Sequence, residues 1–163
     1  MNKPFPVIKF PDDYLLKPTQ EVTVFNEALA IELDRMQLTM VKENGIGLAA
    51  NQVGLNKSMF VMRHGKDGLY DFINPVIVSQ EGHQFVNEGC LSAPDVFIQI
   101  PRPTEVIVRA KNRLGEEFEV IATGVEAVCV IHEMEHLEGK FFIEKANRQQ
   151  KRQALKKLGM MQP

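Results

Sequence analysis

The run from Thr123 to Gly139 constrains this chain more than any other. Val125, Ala127, Val128, Cys129, Val130, Ile131, Met134 and Leu137 make it apolar nearly all round. A helix formed there belongs inside the protein rather than on its surface. Thr123 and Glu126 have the T-x-x-E spacing of a capping box, which predicts the start. Gly139 predicts the stop, because glycine takes the left-handed position after a helix without strain. Into this apolar setting the chain puts His132, Glu133 and His136. The histidines are four apart, so their rings share one face, roughly 5–6 Å apart at Cβ. Both can reach one divalent ion. Glu133 lies about 100° further round, placed to address a water on that ion rather than to ligate it. This H-E-x-x-H spacing assigns the glutamate as general base. Two histidines packed without a ligand would be cheap on an exposed helix. In a core, unpaired polar groups cost several kcal/mol, and the metal reading prevails.

A catalytic site of this kind uses three protein ligands and a water. Cys129 lies on the same face but seven residues before His136, about 10 Å of rise. It reads better as a small buried hydrophobe. Cys90, in Glu88-Gly89-Cys90-Leu91-Ser92 between two expected strands, is the stronger candidate. A second small-residue stretch, Gly45-Ile46-Gly47-Leu48-Ala49-Ala50-Asn51-Gln52, lacks the lysine and Ser/Thr of a phosphate loop. It reads either as a helix stop with a bulge or as a close backbone approach to substrate, Gln52 offering an amide donor.

The rest of the pattern gives an α+β chain, largely antiparallel sheets packed around the buried metal helix. Asn26 predicts an N-cap, and Leu29, Leu33, Met36 and Met40 one stripe of an N-terminal amphipathic helix ended by Asn44-Gly45. Strands are expected at 59–62, 69–73, 76–78, 96–100, 106–108 and 118–121, with hairpins at Gly65-Lys66-Asp67-Gly68 and Asn112–Gly115. Proline-punctuated residues 1–25 wrap the surface, and His64 and His83 read as solvated loop residues. A length of 163 with 44% hydrophobic residues suits one domain. Two cysteines imply no disulfide framework and a reducing compartment. No apolar leader and no run of about 20 apolar residues is present, so neither secretion nor a membrane span is expected. A net charge of −2 gives no overall pull toward DNA or membrane. Residues 144–163 nevertheless hold Lys145, Arg148, Lys151, Arg152, Lys156 and Lys157 against Glu144, on a C-terminal helix docked by Ala154, Leu155 and Leu158.

Three motifs, Gly45–Gln52, Glu88–Ser92 and His132–His136, together with Ile73-Asn74-Pro75 and Pro94, resemble the peptide deformylases in order and spacing, over most of residues 5–143. The resemblance implies a single deformylase-like domain over 1–163 in the cytoplasm. It implies one divalent ion held by Cys90, His132 and His136, ferrous iron in the family, with zinc, nickel or cobalt able to substitute. The implied substrate is the N-formyl-methionyl end of new polypeptides, cleaved to formate and a free amine. Gln52 and the Leu91 N–H would stabilise the oxyanion beside Glu133. Gly45, Ile46, Gly47, Glu88, Gly89, Val128 and Cys129 would bind substrate, with Glu88 also expected to meet Arg102. The basic segment reads either as a soluble helix with a charged outer face or, by analogy with the family's C-terminal helices, as a surface that meets ribosomal RNA. The family usually has Asp where this chain has Glu135 and commonly Gln where it has Ile131, which touches the support of the ligands but not the ligands. Two rivals are a zinc endopeptidase, which recruits a downstream third ligand, and a non-catalytic formyl-peptide or ribosome binder.

Overall fold

A computed structural model describes residues 2–66 and 68–160. Helix α1 spans Glu27–Lys42, and the Asn26 side chain accepts from the Leu29 N–H at 3.0 Å, closing its first turn. Its buried stripe is Leu29, Leu33, Met36 and Met40. Five strands form one antiparallel sheet in the order β1 (Gly47–Ala49), β2 (Met59–His64), β3 (Gly68–Glu81), β6 (Glu105–Lys111), β7 (Glu117–Thr123). Strands β4 (Asn87–Cys90) and β5 (Ala93–Gln99) form a separate antiparallel pair. The β2–β3 connection includes Asp67, which lies outside the described residues, so the expected turn there is seen only through its flanking pairs, such as His64↔Gly68.

Strand β2 shows why its sequence is a continuous apolar run. Met59 and Val61 turn toward α1, while Phe60 and Met62 turn toward helix α2 (Val125–Leu137). All four are fully buried, as expected of a strand covered on both faces. Burying such side chains contributes on the order of 1.5–3 kcal/mol each.

Four expectations need correction. The separate strands at 69–73 and 76–78 are one strand, β3, with a bulge at Asn74-Pro75 where the register jumps from Ile73↔Lys111 to Val76↔Arg109. Proline cannot donate to the ladder, and Asn74 takes φ 51°, its amide clamping both backbone groups of Val22. The capping box at Thr123 is absent. Thr123 is still paired in β7 with Glu105, so Gly124 at φ 58° makes the entry to α2. Glu126 reaches instead to the Gly65 N–H and to His64 Nδ1. His64 is therefore a half-buried strand residue with a carboxylate partner, not a solvated loop histidine. Finally, Glu88–Cys90 is itself strand, held by β5 rather than by any apolar alternation of its own.

At the far end of α2, Gly139 takes φ 77°. Its N–H donates to the His136 carbonyl and the Lys140 N–H to that of Glu135, both at 2.9 Å. This double bond pattern ends the helix right after His136. The chain then packs Phe141, Phe142 and Ile143 against Val96, Ile98 and Ile100 of the β5 region. Helix α3 (Arg148–Lys157) docks there through Ala154, with Leu158 beside it and Leu155 half-buried. No helix among the described residues is long and apolar enough to cross a membrane.

Candidate metal centre

Helix α2 presents His132, Glu133 and His136 to the end of β4, which carries Cys90. One ligand atom from each of Cys90, His132 and His136 lies within 4.8 Å of the others. Cys90 Sγ is 3.3 Å from His136 Nε2, and the two Nε2 atoms are 3.2 Å apart. A tetrahedral ion with bonds of about 2.0–2.3 Å sets its ligand atoms roughly 3.3–3.6 Å apart. The three groups fit such an ion with its fourth position open. Their chemistry, one sulfur and two imidazoles, suits a divalent transition metal. Cys129 is not in the cluster. Burial and the Glu133 charge push its thiol well up, which keeps it neutral and a poor ligand.

His132 is held from behind. His132 Nδ1 is 2.5 Å from Glu88 Oε2. Arg102 clasps the same carboxylate through Nε and Nη2, both at 2.7 Å, and grips Glu135 at 2.9 and 3.0 Å. Burial alone would raise Glu88. The hydrogen bonds from Arg102 and His132 outweigh it and hold the carboxyl down to about 2. Glu88, expected in the substrate-binding set, lines the cleft beside the cluster, with Oε1 held by Arg102 and Oε2 shared between Arg102 and His132, which orients that ring. Burial opposes the charged form of His132, but the neighbouring Cys90 and Glu88 hold its pKa up. Burial and the His132 charge push His136 down. The Asn51 side-chain amide donates to the His136 backbone carbonyl at 2.5 Å, while His136 Nδ1 has no hydrogen-bond partner among the described residues.

Glu133 is buried beside the cluster and is no part of it. Its Oε1 has no hydrogen-bond partner among the described residues, and Oε2 is 3.8 Å from Cys129 Sγ. Burial pushes its carboxyl up to about 7, with His132 pulling the other way. A group that gains and loses a proton near neutrality is suited to proton transfer. Gln52 is buried with its oxygen tied to the Ala49 N–H at 2.9 Å. That anchor turns its NH2 toward Ser92 Oγ at 3.0 Å and Cys90 Sγ at 3.5 Å.

These groups open onto a cleft of about 490 Å³. Gly45, Ile46, Gly47, Gln52 and Gly89 line it, as do Cys90, Leu91, Val128, Cys129, His132 and Glu133. His136 lies behind the lining, almost fully buried. Gly47 has to be glycine. A Cβ there would stand 2.6 Å from Cys129 Sγ and 2.9 Å from Glu133 Oε2, so β1 could not lie this close to α2. Sequence reasoning missed Val125 and Phe97, both largely exposed at the mouth. It also missed Asn51 and Ser92, since polar residues inside short motifs carry no periodic signal. The close Gln52–Ser92 pairing joins two of those motifs and could have been sought there.

The family model described as polypeptide deformylase matches residues 4–152. A peptide deformylase of Acetivibrio thermocellus is 45% identical over 137 residues, 84% of this chain and 80% of that protein. The crystal structure of a Legionella pneumophila peptide deformylase superposes with a TM-score of 0.92 at 33% identity, over 96% of this chain and 94% of that one. One from Synechococcus elongatus, in complex with actinonin, gives 0.91 at 34% identity, over 97% and 87%.

Proposed function

The chain belongs to the polypeptide deformylase family, metal-dependent hydrolases acting on N-formyl-methionyl peptides, and from that premise we propose the roles of its residues. Cys90, His132 and His136 hold one divalent ion, natively ferrous iron, with zinc, nickel or cobalt able to replace it. The ion, when bound, supplies Lewis acidity, which lowers the pKa of water toward neutrality and polarises the formyl carbonyl. Glu133 takes a proton from the attacking water and delivers it to the departing amine nitrogen. The C–N bond breaks, leaving formate and a free amino terminus. The Gln52 NH2 and the Leu91 N–H donate to the carbonyl oxygen as charge collects on it. Gly45 and Gly47 admit the peptide backbone, Gly89 faces it from β4, and Ile46, Val128 and Cys129 wall the methionine side chain. Residues 1–163 act as one deformylase-like domain, working in the cytoplasm.

The observation that carries this reading is the Cys90–His132–His136 cluster beside a Glu133 oxygen that has no partner among the described residues, at the base of the cleft. Protein purified without oxygen should contain about one divalent ion per chain, mostly iron, as one three-ligand site holds one ion. It should release formate from formyl-Met-Ala-Ser. Hydrolysis of an unformylated internal peptide, with no formate from the tripeptide, would favour the endopeptidase instead.

The outer face of α3 carries exposed Arg148, Lys151, Arg152, Lys156 and Lys157. We infer contact with ribosomal RNA, since such a face binds phosphates in a salt-sensitive way. Replacing Lys151, Arg152 and Lys156 by glutamine should weaken co-sedimentation with ribosomes at low salt and leave tripeptide turnover near normal. Unaltered co-sedimentation would discard this reading.

A further inference from the structure

We propose that Lys145 is a positioning residue for the metal centre, acting at the outer end of a charge chain that runs Lys145–Glu135–Arg102–Glu88–His132. The proposal rests on Cys90, His132 and His136 being the ligands. Lys145 ends the turn Phe142–Lys145 that follows α2. Its Nζ lies 2.6 Å from Glu135 Oε2, an oxygen that Arg102 Nη1 also reaches at 3.0 Å. Arg102 in turn divides its donors between Glu135 and Glu88, and Glu88 meets His132 Nδ1.

In the inner part of this chain two buried carboxylates share a single guanidinium, which leaves a gap beside Glu135 for a second cation. Lys140 does not fill the gap, as its ammonium is paired with Glu138 at 2.8 Å. Lys145 does. With Lys145 removed, the whole demand of Glu135 falls on Arg102, which must draw toward it and loosen the clasp on Glu88. The carboxylate behind His132 is then less firmly placed. The Lys145 side chain is 53% exposed, so replacing it leaves no cavity. The glutamate at 135 is central to the arrangement, since its length lets one carboxylate meet Arg102 at two nitrogens and still accept from Lys145.

Partners that directly orient a metal ligand are worth 10–100-fold in affinity, and Lys145 stands further out, so a change of about three- to tenfold is expected. The test uses full-length protein loaded with cobalt(II), read by its visible absorption bands and by the rate of cobalt loss to excess chelator. Lys145→Met should lose cobalt about three- to tenfold faster, and Lys145→Arg should hold it as the parent does. About 0.5 M sodium chloride, where the screening length is roughly 4 Å, should move the parent toward Lys145→Met. Equal loss rates for all three proteins would overturn the proposal while leaving the ligands intact. So would faster loss in both variants with no response to salt, which marks a packing role. A parent protein that takes up no cobalt would overturn the ligand assignment and the proposal together.

Discussion

Exchanging Glu133 for glutamine should lower formate release from a formyl-methionyl peptide by about 10²–10⁴-fold, the usual worth of a positioned proton carrier. The same protein should keep its metal, because Glu133 is outside the ligand cluster. Glutamine fills the same space but can neither take nor return a proton. The pH profile sharpens the test. A general base works deprotonated, so the parent rate falls as pH drops through the pKa of that carboxyl. Burial pushes this carboxyl up to about 7, and a bound cation draws it lower. In Glu133→Gln the residual rate should lose that acid limb. A variant turning over within tenfold of the parent, with the acid limb intact, would remove Glu133 from the mechanism.

The parts legible in the sequence were those with a local pattern. The α+β class with antiparallel sheets follows from apolar runs such as Met59–Met62 set between turn residues. His132, Glu133 and His136 stood out because polar groups interrupt an apolar stretch. What escaped depends on contacts between distant segments. Strand β4 has no apolar alternation and exists through its pairing with β5. The start of α2 misled because Thr123 and Glu126 fit a cap locally, while β6 claims Thr123 and the β2–β3 turn claims Glu126. The sequence suggested Glu88 with Arg102. It did not suggest that Glu135 and Lys145, 33 and 43 positions after Arg102, would join them.

Replacing Arg102 with alanine should have the largest effect on the folded state. Arg102 is 3% exposed and is the buried cation between Glu88 and Glu135. Removing one partner of a buried ion pair costs about 3–5 kcal/mol, because the remaining charge is left uncompensated. It also frees the carboxylate behind His132, so metal affinity should drop about 10–100-fold. The dependence on pH distinguishes this cause from a simple loss of packing. In the parent, Glu88 and Glu135 are both held below the usual carboxylate range despite burial, Glu88 at about 2. A lowered folded-state pKa contributes stability above the unfolded value, about 4.3, and loses it as pH falls through the folded one. Without Arg102, burial dominates at Glu88 and raises its carboxyl, while Glu135 keeps Lys145. The contribution of Glu88 then reverses sign, present at low pH and lost as pH rises. Urea unfolding of the metal-loaded proteins should therefore show a parent–variant gap that narrows from about pH 7.5 to about pH 5, as the Glu88 carboxylate takes up a proton. A gap that stays constant over that range, with metal retention unchanged, would mean that Arg102 is held there by packing and that its charge does not support His132.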